Sequence, residues 1–182
     1  MPPTAESIDP RRARSLASPI PFPVELPFIE SLGIELHALG DGQSDLRVDL
    51  DAAHLNSWEV AHGGVVMTLL DVAMAMAARS ANAAEVGVAT IEMKTSFMRP
   101  AEHRLRALAS VLHKTGTLAF CEASVFDDVG QRCAHATATF KYLRALPARN
   151  RISPHIPAAS TPSFSPSSVT ARPASPSQES PP

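Results

Sequence analysis

The sequence predicts an α+β domain in which one antiparallel sheet wraps a single long helix, and three observations carry that reading. Val65 to Ala81 is almost wholly apolar, rich in Ala, Leu and Met, and free of proline, so it predicts a helix. Its apolar residues fall on every side, which predicts burial all round. Six runs of alternating apolar and polar residues flank that helix, two before it and four after it, and such alternation marks half-buried strands. Of the 17 prolines, seven fall in residues 1–27 and nine in residues 147–182, so only Pro100 interrupts the middle. A proline-poor middle can form continuous elements and proline-dense ends cannot.

In chain order, residues 1–26 read as a disordered arm carrying a short basic patch, Arg11-Arg12-Ala13-Arg14, best taken as solvated. The globular domain is expected over residues 27–144. Phe28 to Leu32 reads as a helical turn stopped by Gly33. Ile34 to Leu39 and Gln43 to Leu50 alternate on either side of Gly40-Asp41-Gly42, which predicts a hairpin. A loop, Asp51 to Ala61, leads into the central helix. Val88 to Met98 places Ala89, Ile91, Met93 and Phe97 on one face against Thr90, Glu92, Lys94 and Ser96. His103 to Lys114, Leu118 to Phe126 and Arg132 to Leu143 complete four consecutive antiparallel strands. Residues 145–182, rich in Ser and Pro, read as a disordered tail. A helix apolar on all sides and an open sheet edge would both seek a second copy of the chain, so a homo-oligomer is expected.

Composition removes several classes. With 16 Lys+Arg against 18 Asp+Glu, nothing electrostatic favours nucleic acid or an anionic membrane. Cys121 and Cys133 make neither a disulfide framework nor a zinc site. No signal peptide is visible, and Asp71 and Arg79 interrupt the apolar run, so a membrane span is not expected and a cytoplasmic protein is. Metal-ligand spacing, a phosphate-cradling glycine loop and a nucleophile elbow are all missing from the sequence. No cofactor or metal is expected.

Asp71 is the feature that needs a reason, because a carboxylate in an apolar helix is costly unless paired, hydrogen-bonded or neutralised. It belongs to a spaced set: Asn56, then His62-Gly63-Gly64 opening the helix, then Leu70-Asp71, then Thr90, Phe97-Met98-Arg99-Pro100 and Thr115-Gly116. That set resembles the PaaI-like acyl-CoA thioesterases of the hotdog superfamily, over roughly Phe28 to Leu143. One position departs from the pattern: Glu59 stands where such proteins usually carry glycine, three residues before the histidine.

The resemblance implies hydrolysis of an acyl-CoA thioester. The reaction needs an oxyanion site and a delivered nucleophile. Gly63 lies in the first helical turn, where backbone N–H groups lack partners and the helix dipole is positive. By family likeness its N–H takes the thioester carbonyl. Gly64 allows close approach, and His62 and Asn56 hold the loop and the thioester end. Asp71 is implied as general base or nucleophile, with Thr90 positioning it or the attacking water. Arg99 and Lys94 are implied contacts for the CoA phosphates. Gly63 and Asp71 are eight positions apart, about 12 Å along a helix, so one carbonyl meets both only if they come from different subunits. This agrees with the family, whose sites cross a dimer interface, and the expected assembly is a dimer or a dimer of dimers.

Each residue also has a plainer reading. Asp71 can be a structural acid bonded to Thr68, Thr90 or an amide; His62 a helix-entry residue; Asn56 a turn former; Thr90 plain strand; Arg99 and Lys94 solvated. Met67, Met74 and Met76 fit core packing or an acyl pocket. The alternative to an enzyme is a non-catalytic acyl-CoA-binding module with the same groove.

Overall fold

Every predicted run forms its element in the computed structural model, which describes residues 18–82 and 87–144. The elements are α1 (Pro27–Ser31), β1 (Glu35–Gly40), β2 (Gln43–Asp49), α2 (Gly63–Ser80), β3 (Gly87–Phe97), β4 (Arg104–Lys114), β5 (Leu118–Phe126) and β6 (Arg132–Leu143), with a 3-10 turn at Ala52–His54. Residues 1–17 and 145–182, which hold most of the expected arm and the whole expected tail, lie outside the described residues.

All strand pairs are antiparallel, and the sheet order is β1-β2-β4-β5-β6-β3. The hairpin β1–β2 turns on Asp41 (φ 49°) and Gly42 (φ 74°), and two central residues at positive φ, Asp then Gly, are what a tight two-residue hairpin selects. The four strands after the helix are not one simple meander. β3 pairs with β6, so it lies at the far edge and not beside β4. The link 98–103 crosses three inter-strand gaps, about 14 Å at ~4.8 Å each, which an extended chain of that length spans with room to spare.

The sheet curls round α2 because its inner face is lined with small residues. Ala107, Ala119, Ala123, Ala134 and Ala136 are buried there and let the helix come close, against Leu69, Leu70, Ala73, Met74 and Ala77. Two polar groups tie sheet to helix: Ser44 Oγ donates to the Ala73 carbonyl at 2.7 Å, and Tyr142 O–H donates to the Ala78 carbonyl at 3.2 Å. Lys114 Nζ donates to the Ala81 carbonyl at the end of α2, a cation where the helix dipole favours one.

Two expectations are corrected here. Residues 18–26 are not part of a disordered arm. Ile20 N–H donates to the Leu36 carbonyl at 2.7 Å, and Phe22 and Leu26 pack on the core. Prolines at 19, 21 and 23 fit this segment because proline is tolerated on an edge. Nor is α2 buried all round. Gly64 and Met67 are exposed, and Thr68, Asp71, Val72 and Ala75 are half-buried. These positions recur at three- and four-residue spacing, so they form one uncovered stripe. The helix has the length and mean hydropathy, 1.3, of a bilayer span. The fold uses it otherwise, with its remaining faces sealed in the sheet.

Candidate active site

The loop before α2 is built by its own hydrogen bonds. Asp51 caps the 3-10 turn, and its N–H donates to His54 Nδ1 at 3.0 Å while its carboxylate accepts from Ala53 N–H. The buried His54 accepts His62 N–H at its carbonyl, 2.8 Å. Asn56 Oδ1 accepts Trp58 N–H at 2.8 Å, Asn56 N–H donates to Val60, and Glu59 N–H donates back to Asn56. Ala61 N–H donates to the Ala101 carbonyl at 2.8 Å, fastening the loop to the segment after β3.

Glu59 sits in this loop at φ 60°, the left-handed region that glycine occupies freely and other residues enter at a cost. A glycine, which the family resemblance implies at this position, would take that conformation freely. Glu59→Gly is expected to raise stability by about 0.5–1 kcal/mol, the relief of left-handed strain less glycine's extra unfolded-state entropy. A thermal melt checks it, and an unchanged or lower midpoint refutes it.

His62 is the N-cap of α2. Its Nδ1 accepts Gly64 N–H at 3.1 Å, so in the neutral ring the proton is on Nε2, a donor with no partner among the described residues. That contact occupies the Gly64 amide, so the close approach expected at Gly64 rests on its missing side chain. Its N–H is taken by His62, and an added Cβ would meet His62 Nδ1 at 3.3 Å. Gly63 N–H is different: among the described residues it has no hydrogen-bond partner. Neither glycine has a positive φ, so the pair answers to space and not to backbone conformation. Asn56 retains its Nδ2 group as a third donor, since the oxygen of its amide is taken.

Eight positions on, Asp71 lies in the uncovered stripe of α2 and accepts a 2.9 Å hydrogen bond from Thr90 Oγ1. Burial pushes the Asp71 carboxyl above the usual carboxylate range, and the Thr90 hydrogen bond pulls partly the other way. A β-bulge makes the contact possible. Thr90 stands opposite Phe140, but the next paired residues are Glu92 and Thr139, with Ile91 as the extra residue. The inserted residue reverses the alternation. Val88 and Thr90 before it, and Met93, Thr95 and Phe97 after it, all stand opposite buried β6 residues on the helix side. The expected face grouping, which set Thr90 apart from Met93 and Phe97, is corrected by that one residue.

Thr90→Val is therefore expected to move the acid limb of the kcat/KM profile to higher pH, because the hydrogen bond that stabilises ionised Asp71 is gone. A limb at the same pH would separate Thr90 from Asp71 ionisation.

The remaining expected residues scatter. Arg99 is exposed at the end of β3, with one guanidinium N–H donated to the Arg132 carbonyl at 3.0 Å. Lys94 stands opposite Thr137 on the outer face of the sheet, away from Asp71 and Gly63. Phe97, which the sequence marks only as part of the Phe-Met-Arg-Pro stretch, is a near neighbour of Gly63: its Cζ is 3.5 Å from where a Cβ of residue 63 would stand. Cys121 is buried and its thiol pushed up to about 12, which leaves no thiolate for attack at neutral pH. Among the described residues no cluster of His, Cys, Asp and Glu could hold a metal.

A six-stranded antiparallel sheet wrapped on one long central helix is the hotdog architecture. The chain belongs to the thioesterase superfamily, whose sequence signature matches residues 59–134. A thioesterase family protein from Silicibacter pomeroyi is 33% identical, covering 65% of this chain and 90% of that one, at a TM-score of 0.61. A point mutant of phenylacetic acid degradation protein PaaI from Thermus thermophilus is 26% identical over 65% of this chain and 100% of that one, at a TM-score of 0.60. A relative from Halobacterium salinarum with esterase in its name is 36% identical over 99 residues, 52% of this chain and 66% of that protein.

Proposed function

We propose that the protein hydrolyses the thioester of a small aryl- or medium-chain acyl-CoA to a free acid and CoA. The observation that carries this is Asp71: an acid in the uncovered stripe of an otherwise apolar helix, held by Thr90 at 2.9 Å and raised in pKa by burial. A carboxyl tuned upward toward working pH suits a base. The thioester oxygen would lie on the free Gly63 N–H, with His62 Nε2–H and Asn56 Nδ2 as further donors at the same loop. Negative charge that develops on that oxygen meets fixed donors and the positive end of α2. Asp71 then either takes the proton of a water attacking the carbonyl carbon or attacks that carbon itself. On the first route the C–S bond breaks as the oxygen of water joins the acid and its proton passes to the sulfur; on the second the thiolate leaves from a mixed anhydride with Asp71 and takes a proton from water, and a water molecule then hydrolyses the anhydride to the free acid and regenerates Asp71.

The site is shared in this reading. Among the described residues nothing pairs with the outer edge of β3, whereas the β1 edge is partly covered through the Ile20–Leu36 bridge. The strand also holds exposed Ile91 and Phe97, and Thr95 Oγ1 is a buried oxygen with no partner. Such an edge calls for a strand. A two-fold antiparallel pairing of β3 centred on Lys94, with Ile91 again the extra residue, would set Phe97, and with it Gly63, near the partner's Thr90 and the partner's Asp71. A dimer then has two equivalent sites.

The test is release of CoA thiol from a panel of acyl-CoA esters by the purified protein. Steady turnover of an aryl- or medium-chain ester is expected. Tight binding of the esters without turnover would replace the enzyme by a non-catalytic acyl-CoA-binding module.

A further inference from the structure

The ring beside the free amide has a consequence for which acyl groups can react. Phe97 stands on the helix side of β3 opposite the fully buried Ala134, yet it is 55% exposed. Its ring leans to the start of α2, with Cζ and Cε1 3.5 and 3.7 Å from the Cβ position of Gly63. From that position to the Gly63 nitrogen is about 2.5 Å by standard geometry, so the ring edge is within about 6 Å of the nitrogen. A carbonyl oxygen bound there sits about 2.9 Å from the same nitrogen. The ring therefore borders the space that a substituent of that carbonyl can enter.

The wall is fixed at both ends. Met98 and Arg99 N–H groups both donate to the Cys133 carbonyl, at 2.8 and 3.1 Å, anchoring the strand just after Phe97. The Ala61 N–H bond to Ala101 anchors the loop that carries Gly63. These bonds fix the backbone on either side of the gap, so the ring can leave it only by changing rotamer. The surface near the amide is also apolar, with Met67 exposed on the next turn of α2. A hydrocarbon acyl chain suits that surface, whereas the pantetheine arm of CoA has amides that need hydrogen-bond partners.

Building on the thioesterase reading, we propose that Phe97 is a specificity-determining residue: its ring limits the width beside the scissile carbonyl and excludes acyl groups with a tetrahedral branch at the carbon next to it, while a flat aryl ring can lie along it. A single methyl group refused by such a wall is worth about 10-fold or more in kcat/KM.

The experiment compares hexanoyl-CoA with 2-methylpentanoyl-CoA, esters of equal carbon count, in the full chain, Phe97→Leu and Phe97→Ala. Wild type is expected to prefer the straight chain by about 10-fold or more in kcat/KM, with that ratio shrinking through Leu to Ala. Leu supplies the comparison should the Ala variant fail to fold. Equal handling of the two esters by wild type overturns the proposal. So does a substitution that lowers both rates by the same factor, which would mean that Phe97 only props the helix start or the subunit contact. If wild type releases no thiol from either ester or from the wider panel, the thioesterase reading falls and this inference falls with it.

Discussion

Asp71→Asn is expected to lower kcat by about 10²–10⁴-fold and, at the same time, to make the folded protein more stable at neutral pH. The activity loss follows because the amide can neither take a proton from water nor attack the carbonyl carbon. The gain in stability follows from the direction of the Asp71 shift. Its carboxyl is raised in the folded chain, chiefly by burial. A raised carboxyl contributes stability that is fully present below its unfolded pKa and is lost as pH rises through the folded one. At neutral pH the ionised group is therefore a burden on the fold. Asn has nearly the same shape, carries no charge, and keeps an oxygen for Thr90 O–H. The melting midpoint of Asp71→Asn should exceed that of wild type at neutral pH, and the gap should close in acid as wild-type Asp71 becomes protonated. Turnover within tenfold of wild type would remove Asp71 from the chemistry, and a variant less stable at neutral pH would make the carboxylate structural.

The strands are legible in the sequence because their alternation is strong: Leu118 to Phe126 and Arg132 to Leu143 form β5 and β6 with the predicted bounds. Which strand pairs with which is not. Periodicity assigns faces and is silent on neighbours, so four consecutive runs suggest β3 beside β4, whereas it belongs beside β6. The same counting cannot detect an inserted residue, and Ile91 therefore hides the fact that Thr90 faces the helix. Composition misreads α2 for a similar reason, since an apolar Met67 is as apolar in a surface stripe as in a core. The prolines at 19, 21 and 23 suggest disorder because residue counts do not reveal that the segment lies along an edge strand. At the site, Asp71, His62, Gly63 and Asn56 are legible as a spaced set. Hydrogen-bond allocation is not: only coordinates assign Gly64 N–H to His62 and leave Gly63 N–H free. Phe97 escapes the sequence because its strand position gives no hint that the ring reaches the helix start. Glu59 is legible as a departure, and its positive φ supplies the physical meaning.

Mixing two inactive variants should restore activity if the site is shared between subunits. Asp71→Asn lacks the base. Gly63→Val keeps the acid but places a branched side chain where the thioester must approach the amide. Each homodimer alone is dead at both sites. In a mixed dimer the two sites are unequal. One combines valine at position 63 of the first chain with asparagine at position 71 of the second, and is doubly inactive. The other combines an intact Gly63 with an intact Asp71 and is wild type. Random exchange at equal concentrations makes about half of the dimers mixed, each with one good site in two, so recovery should reach about a quarter of wild-type activity. The result is read by unfolding the variants together, refolding them, and following thiol release against each variant refolded alone. A site contained within one chain gives no recovery at all, because every chain in the mixture carries one lesion. The roughly 12 Å of helix between Gly63 and Asp71 is the reason to expect a shared site, and the experiment tests that expectation through function.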